Sequence, residues 1–191
     1  MAQRRSAVQG VLTAAGVVGP LIFVADWAIL GAGAANYSPI NDAISRLAET
    51  AAPTRGAMTA GFIVYGGALV AYATSSWSAL PRTARLALAG TGLSTFGVAA
   101  FSLNAQGQGT THAVFAGIGY ATLAASPLLT ARAWAQPSWV RASAAAGIVS
   151  AAFLIASTFA PAHGLLQRVG LTAGDAWVVA TAVRVLRGPG R

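Results

Sequence analysis

The sequence predicts an all-α fold: an integral membrane bundle of six transmembrane helices with a short interfacial helix after the first. Only 8% of the 191 residues are charged, whereas soluble domains carry about 25%, so too few charges are present to coat a water-facing surface. Apolar runs of the length that spans about 30 Å of hydrocarbon recur along the chain. Strand-like alternation of apolar and polar residues is absent, which argues against a membrane barrel.

The apolar runs define six expected spans within one transmembrane domain that covers residues 1–191. Each is long enough, at about 1.5 Å per residue, to cross the hydrocarbon core. Pro20 lies within the first span, where neighbouring helices can satisfy the carbonyl that it frees. The expected spans are 8–30, 57–79, 84–103, 112–133, 140–160 and 165–186.

The first apolar run has a second interpretation, a cleaved signal peptide. Basic residues precede it, and the small residues 31–35 follow it, as a cleavage site requires. The run is longer than a typical signal core, which favours a first membrane helix that stays in the protein.

The distribution of arginine predicts the orientation of the bundle. With a cytoplasmic N-terminus and an even number of spans, nine of the 12 arginines fall on the cytoplasmic side, and Arg46, Arg55 and Arg168 fall outside. The sequence therefore predicts a multi-pass protein of the cell membrane with both termini in the cytoplasm. The nine are Arg4, Arg5, Arg82, Arg85, Arg132, Arg141, Arg184, Arg187 and Arg191.

Composition also limits the partners and the chemistry. A net charge of +8 is typical of some nucleic-acid-binding proteins, but these charges are scattered, so we expect no nucleic-acid partner. The absence of Cys excludes disulfides and thiolate chemistry. All basic residues are Arg, which together with the abundant Ala and Gly indicates a GC-rich, bacterial coding sequence.

The connection after the first span, residues 31–56, is the most polar part of the chain. Ser38 and Pro39 form a typical helix start, a capping hydroxyl followed by proline at the first position. We expect a short helix here that lies on the outer side of the bundle, with Asp42 and Arg46 paired across one turn and Ile40 on its apolar face with Ile44 and Leu47. A plug or lid without a binding role is the alternative.

This connection resembles the signature of a membrane family known as domain of unknown function 998 (DUF998). In that family a Tyr-Ser-Pro turn leads into an Asp-x-Ile-Ser-x-Leu helix after the first span. Similar features extend over nearly the whole chain. The resemblance implies the topology far more than an activity. The matching features are Gly19-Pro20, Asn36-Tyr37-Ser38-Pro39, Asp42-Ala43-Ile44-Ser45-Arg46-Leu47, Met58-Thr59-Ala60-Gly61-Phe62, His112, Gly164-Leu165-Leu166-Gln167-Arg168 and Trp177.

Two acids depart from the family pattern, Asp26 in the first span and Asp175 in the sixth, where apolar residues are expected. A carboxylate within hydrocarbon is costly, so it usually faces the bundle interior and marks a pathway or a site. Each acid is followed closely by a tryptophan, Trp27 and Trp177. A structural role is the alternative, with each acid neutral or bonded to a Ser, Thr or Trp N–H of a neighbouring helix.

Most other chemically capable residues converge on the outer face. His112 and His163 fall at the outer ends of spans four and six, on the same side as a group of charged residues. We therefore expect a polar pocket that opens outward. No His-x-x-x-His or His-Glu-x-x-His spacing is present, so no metal site is expected. The charged residues on this side are Asp42, Arg46, Glu49, Arg55 and Arg168.

The first functional hypothesis is a pocket that binds or processes a membrane lipid or an isoprenoid. A narrow cavity among helices rich in small residues would hold the chain, and arginine and histidine would hold a polar head at the outer surface. The expected ligand-binding residues are Tyr37, Arg46, His163, Arg168, Trp27, Trp177 and Tyr120.

The second hypothesis is a proton-initiated isoprenoid, or terpene, cyclase that needs no cofactor. A carboxylic acid kept protonated by its apolar site would donate the proton, a second acid or a histidine would take it back, and aromatic faces such as Phe23 and Tyr65 would stabilise the cation. The candidate catalytic residues are Asp26, Asp175, Asp42 and His112. A small transporter or an assembly partner is the third hypothesis, and the sequence leaves enzymatic activity, ligand identity and oligomeric state open.

Overall fold

The computed structural model describes residues 2–77 and 79–188, and within these ranges the chain forms six long α-helices and one short 3-10 helix without any strand. The helices keep the order that the apolar runs predict, and their bounds lie within a few residues of the expected spans except at the start of the first. They are α1 (Ala2–Gly33), the 3-10 helix (Ile44–Ala48), α2 (Arg55–Ser75), α3 (Arg82–Ala100), α4 (Thr110–Ala131), α5 (Pro137–Ala156) and α6 (His163–Arg187).

Each helix packs against its neighbours in the sequence, and α1 also packs against α6, so the six helices form a closed ring. Short connections make consecutive helices antiparallel. The segment 34–54 and the links 101–109 and 157–162 therefore share one end of the bundle, called here the loop end. The links 76–81 and 132–136 share the opposite end, called here the arginine end because it carries Arg82, Arg85, Arg132, Arg141, Arg184 and Arg187.

Five of these helices, α1, α2, α4, α5 and α6, are long and apolar enough to cross a membrane. Helix α3 is long enough but more polar, because it carries two arginines in its first turn and a group of hydroxyl side chains in its second half. Five helices thus have the length and the composition that a membrane span requires. Helix α3, one of the six expected spans, has the length but is not apolar enough. The buried hydroxyl residues of α3 are Thr91, Ser94 and Thr95.

The hydroxyl groups of α3 are satisfied inside the bundle. Ser94 and Thr95 donate to the Thr91 carbonyl oxygen of their own helix, at 2.9 and 2.8 Å. The Thr91 hydroxyl lies 2.9 Å from the Thr122 hydroxyl of α4. Because each buried hydroxyl has a partner, this polar helix can pack inside an apolar bundle without a desolvation penalty for each group.

The segment 34–54 differs from the helix that the Ser38-Pro39 pair predicts. The amides of Asn41 and Asp42 donate to the Ser38 carbonyl oxygen, and the Asp42 carboxylate accepts the Ser38 amide at 2.7 Å, so residues 38–42 form a turn. Aspartate favours such turns because its side chain competes for backbone amides. The helix begins only at Ile44 and is a single 3-10 segment.

Two further details of that prediction are wrong. Arg46 forms its ion pair with Glu49, at 2.8 Å, and not with Asp42, whose carboxylate is engaged by the turn. Ile40 does not share the buried face, since it is 55% exposed while Ile44 is 1% exposed. Four of the five residues of the 3-10 helix are buried.

Candidate functional site

Arg168 fastens the segment 34–54 to the start of α6. One terminal nitrogen donates to the carbonyl oxygens of Pro39, Asp42 and Gly164, at 2.8, 3.0 and 2.9 Å, and the other donates to the Tyr37 hydroxyl. The guanidinium carbon lies 5.1 Å from the centre of the Trp27 ring, within range of a cation–π interaction. Arg168 is only 6% exposed, so these bonds form away from solvent. We call this arrangement the Arg168 clasp.

The clasp occupies Arg168 only in part, because its Nε is buried without a hydrogen-bond partner among the described residues. Both terminal nitrogens are engaged, and the Asp42 carboxylate beside it is held by the Ser38 amide. Burial raises the pKa of the Tyr37 hydroxyl, although the Arg168 charge acts in the opposite direction, so Tyr37 stays a neutral phenol near pH 7. Both residues, expected to bind a ligand, have internal partners that explain their positions.

A second set of bonds extends the clasp into the bundle. The Gln167 side-chain oxygen accepts the Ile44 amide at 2.8 Å, and its nitrogen donates to the Tyr120 hydroxyl of α4. The Leu165 amide donates to the Ile40 carbonyl oxygen at 2.9 Å. Two stretches that the sequence separates by more than 100 residues are therefore joined at the loop end.

A small, partly open cavity of about 60 Å³ lies beneath the 3-10 helix. Aromatic rings of Phe23, Phe62 and Phe115 form part of its wall. The polar part of the wall consists of uncharged donors and acceptors apart from one histidine. This volume accommodates a few water molecules or one small functional group, since a single water needs at least about 10–15 Å³. The polar lining residues are Ser45, Tyr65, Thr91, Ser94, Thr95, His112, Tyr120 and Gln167.

His112 is one of the predicted site residues that line this cavity. It is 5% exposed, and its Nδ1 lies 2.8 Å from the Phe101 carbonyl oxygen. This bond fixes the orientation of the ring at the start of α4. The tautomer follows from the bond, because a ring nitrogen that faces a carbonyl must carry the proton.

Asp175 lies beside the cavity and is 2% exposed. Its Oδ1 accepts a hydrogen bond of 2.6 Å from the Tyr65 hydroxyl, and the same Tyr65 lines the cavity. Its Oδ2 is buried without a hydrogen-bond partner among the described residues. The Tyr65 ring stacks on Phe23, with ring centres 4.4 Å apart. Tyr65, expected only as an aromatic face, is therefore the direct partner of the buried acid.

We expect Tyr65→Phe to destabilise the protein by about 1–3 kcal/mol, because Tyr65 is the one hydrogen-bond partner that the described residues give to the buried Asp175 carboxyl group. Adding Asp175→Leu should restore part of that stability, since replacing both polar partners by apolar groups can be nearly neutral. Thermal unfolding in mild detergent of both single variants and the double variant measures this coupling. Purely additive losses would show that the bond contributes nothing to stability.

Asp26 forms no hydrogen bond with Asp175 among the described residues. It is half-buried on α1, and its Oδ2 is buried without a hydrogen-bond partner among the described residues. It faces Gly61 of α2, where even a methyl group would overlap the carboxylate. Gly61 thus makes room for this acid between α1 and α2. Asp26 is absent from the wall of the cavity, as is Asp42.

The remaining candidates are dispersed. The Trp177 indole donates to the Ser143 hydroxyl of α5 at 2.9 Å, and Trp27 stacks on Arg168. His163 is half-buried at the first position of α6, and Arg46 is bound to Glu49. Within residues 2–77 and 79–188, no three His, Asp or Glu side chains lie close enough to hold a metal ion.

A larger space of about 500 Å³ opens between α4 and α5. Small side chains form its floor, and Leu128, Leu154, Ile155 and Phe159 add apolar walls. Tyr120 lines both this groove and the polar cavity. The alanines of the groove are Ala121, Ala124, Ala125 and Ala151.

Two elements of this region escaped the sequence analysis. The hydroxyls of α3 recur at positions 91, 94 and 95, the spacing of one helix face, and this pattern could have indicated a polar inner wall. Gln167 belongs to a motif shared with the family, but no sequence signal indicates that it bridges Ile44 and Tyr120.

Comparison with known proteins relates this architecture to one family. No curated protein and no solved structure matches the chain. The family model described as "Protein of unknown function (DUF998)" matches residues 17–184, which include the Arg168 clasp, the cavity and the groove. The chain therefore belongs to the DUF998 family of membrane proteins.

Proposed function

We propose that this multi-pass membrane protein binds a lipid-like molecule, with an aliphatic or prenyl chain in the α4–α5 groove and a small uncharged polar end at Tyr120. The observation that carries the proposal is the position of Tyr120, which borders both the apolar groove and the polar cavity. A molecule at this position can place its chain among apolar side chains and its polar end beside hydrogen-bonding groups.

The shape of the groove supports an elongated apolar ligand. Its volume of about 500 Å³ falls within the usual range of about 300–1,000 Å³ for small-molecule sites. The alanines leave a floor without bulky side chains, and Thr158 is the one polar residue besides Tyr120 on its wall. Such a surface offers dispersion contacts and little hydrogen bonding, which suits a hydrocarbon chain.

The polar cavity supports an uncharged head, such as a hydroxyl or a carbonyl group. The Tyr120 hydroxyl accepts the Gln167 bond and keeps its own proton to donate, the α3 hydroxyls keep acceptor lone pairs, and the lining contains no arginine. Arg168 and Arg46, the residues expected to hold a charged head, are engaged by backbone carbonyls and by Glu49. A phosphate in about 60 Å³ without a cation would pay an uncompensated desolvation penalty.

We further propose that all six helices cross the cell membrane and that both termini are cytoplasmic. Helix α3 has 19 residues, or about 28 Å at about 1.5 Å per residue, and it packs between the two membrane-type helices α2 and α4. The excess of arginine at the arginine end supports this orientation.

The test is native mass spectrometry of the detergent-purified protein with two probes, dodecanol and dodecyl phosphate. We expect the protein to retain about ten times more dodecanol than dodecyl phosphate, because the phosphate would be buried without a cation. The double variant Ala121→Leu with Ala125→Leu fills the groove and should lose dodecanol.

The matched control is Ala176→Leu with Ala180→Leu. It adds the same side chains at the same spacing, to exposed positions of α6. It should retain dodecanol as the unmodified protein does. Equal binding by both double variants, or stronger retention of the phosphate, would refute the proposal.

A specific contact favours isoprenoid cyclisation as a second candidate function. The Tyr65 hydroxyl bonds to Asp175 and also lines the cavity, so an acid lies one hydrogen bond from a space beside aromatic rings. The substrate would have to widen this cavity, since about 60 Å³ is far below the size of an isoprenoid. With geranylgeraniol as the probe, Asp175→Asn should abolish the cyclised product without lowering the unfolding temperature. Absence of product from the unmodified protein would refute this candidate.

A further inference from the structure

The arginine end contains a cation that is held by aromatic rings. Trp134, in the α4–α5 link, stacks on Trp139, in the first turn of α5, with ring centres 5.2 Å apart. The Arg184 guanidinium carbon lies 4.5 Å from the centre of the Trp134 ring and 4.8 Å from that of Trp139. Both distances permit cation–π interactions, which fix the charge in place. We call Trp134, Trp139 and Arg184 the tryptophan shelf.

No acidic side chain neutralises this charge in the part of the chain that the structure describes. The four acids of the sequence are Asp26, Asp42, Glu49 and Asp175, and none lies at the arginine end. The nearest in sequence, Asp175, precedes Arg184 by nine residues, or about 13 Å along the helix. Among the described side chains, the one ion pair joins Arg46 to Glu49 at the loop end.

Other arginines surround the shelf. Arg132 and Arg141 flank the α4–α5 link, and both are exposed, as is Arg187 in the last turn of α6. Like charges gathered without acids repel one another, so an anionic partner lowers the electrostatic energy of this end. The complementary partner must carry negative charge.

The two tryptophans indicate which kind of anionic partner this end of the bundle binds. Tryptophan is enriched at the level of the lipid head groups, where its ring is half in hydrocarbon and half in water. A tryptophan pair at a helix end is therefore expected near the depth of phospholipid phosphates, and Arg184 lies against this pair. Basic clusters at the ends of membrane helices attract anionic lipids.

We propose that the tryptophan shelf is a binding site for the phosphate of an anionic phospholipid, with Arg184 as its central donor. Arg132 and Arg141 add long-range attraction. This site is at the opposite end of the bundle from the Arg168 clasp, and it is independent of the ligand proposed for the α4–α5 groove.

The experiment reconstitutes the full chain in nanodiscs of equal parts phosphatidylglycerol and phosphatidylcholine and counts the lipids retained in native mass spectrometry. We expect preferential retention of phosphatidylglycerol. Arg184→Gln should reduce that preference about fivefold, the effect expected of one arginine near a lipid surface. Arg55→Gln makes the same change of charge at an exposed position of the loop end and should leave the preference unchanged.

Trp139→Leu tests the contribution of the aromatic rings apart from that of the charge, because it removes one ring and keeps every arginine. It should also weaken the preference for phosphatidylglycerol, and it keeps the test valid if Arg184→Gln does not fold. Equal retention of the two lipids, or equal loss in Arg55→Gln, would overturn the proposal. Displacement of phosphatidylglycerol by millimolar inorganic phosphate would also overturn it, since the site would then select free phosphate.

Discussion

Arg168→Met is expected to unfold at a temperature about 6–12 °C lower than the unmodified protein. The methionine fills a similar volume but removes the two hydrogen bonds that the guanidinium donates to the carbonyl oxygens of Pro39 and Asp42. A hydrogen bond to a charged group contributes about 1.5–3 kcal/mol, so the two bonds together give a loss of about 3 kcal/mol as a low expectation. For a chain of this size each kcal/mol lowers the unfolding temperature by about 2–4 °C.

The local consequence can be measured separately from global stability. Release of the segment 34–54 should increase hydrogen exchange at the amides of Ile44 and Leu165, whose acceptors lie across the clasp. Arg55→Met is the matched control, because Arg55 is exposed at the same end. If Arg168→Met matched this control in unfolding temperature and in exchange, the clasp would not hold the segment.

Gly66→Ala should destabilise the protein, although it adds a single methyl group to α2. A β-carbon there would lie 2.7 Å from the Gly92 carbonyl oxygen and 3.1 Å from the Phe96 ring. Because the first contact is with backbone, α2 and α3 would have to separate, and overpacking of this kind costs about 1–3 kcal/mol. Thermal unfolding in mild detergent measures the loss.

The neighbouring position supplies the control. At Gly67 a β-carbon would have its nearest neighbour, the Phe96 ring, at 4.0 Å. Gly67→Ala should therefore be neutral or stabilise α2 by about 0.5–1 kcal/mol, the advantage of alanine over glycine within a helix. Equal effects of the two substitutions would contradict the close approach of α2 and α3.

The helices were predictable because their signal is local and repeated. Long apolar runs between short polar links leave few alternatives to helices that satisfy their own backbone hydrogen bonds. The pattern failed where side-chain hydrogen bonds override it. The Asp42 side chain stabilises a turn where Ser38 and Pro39 predict a helix. Helix α3 is less apolar than the other helices, and its Thr91 hydroxyl is hydrogen-bonded inside the bundle.

The site was less predictable because its contacts are distant in sequence. Tyr65 and Asp175 are 110 residues apart, and Arg168 is 131 residues from Tyr37. The residue types indicated that buried polar groups need partners, but no spacing rule identifies those partners. The sequence therefore indicated a polar site at Arg168, and the structure shows the clasp there, with the adjacent Gln167 in the wall of the cavity.

The central claim is that the α4–α5 groove holds a hydrocarbon chain whose polar end lies at Tyr120. Anomalous diffraction from crystals grown with dodecanol brominated at its chain end tests it most directly. We expect one bromine peak between α4 and α5 and the hydroxyl within hydrogen-bonding distance of Tyr120, and we expect both to vanish in Ala121→Leu with Ala125→Leu. Bromine found only elsewhere on the bundle, or unchanged in that variant, would contradict the claim.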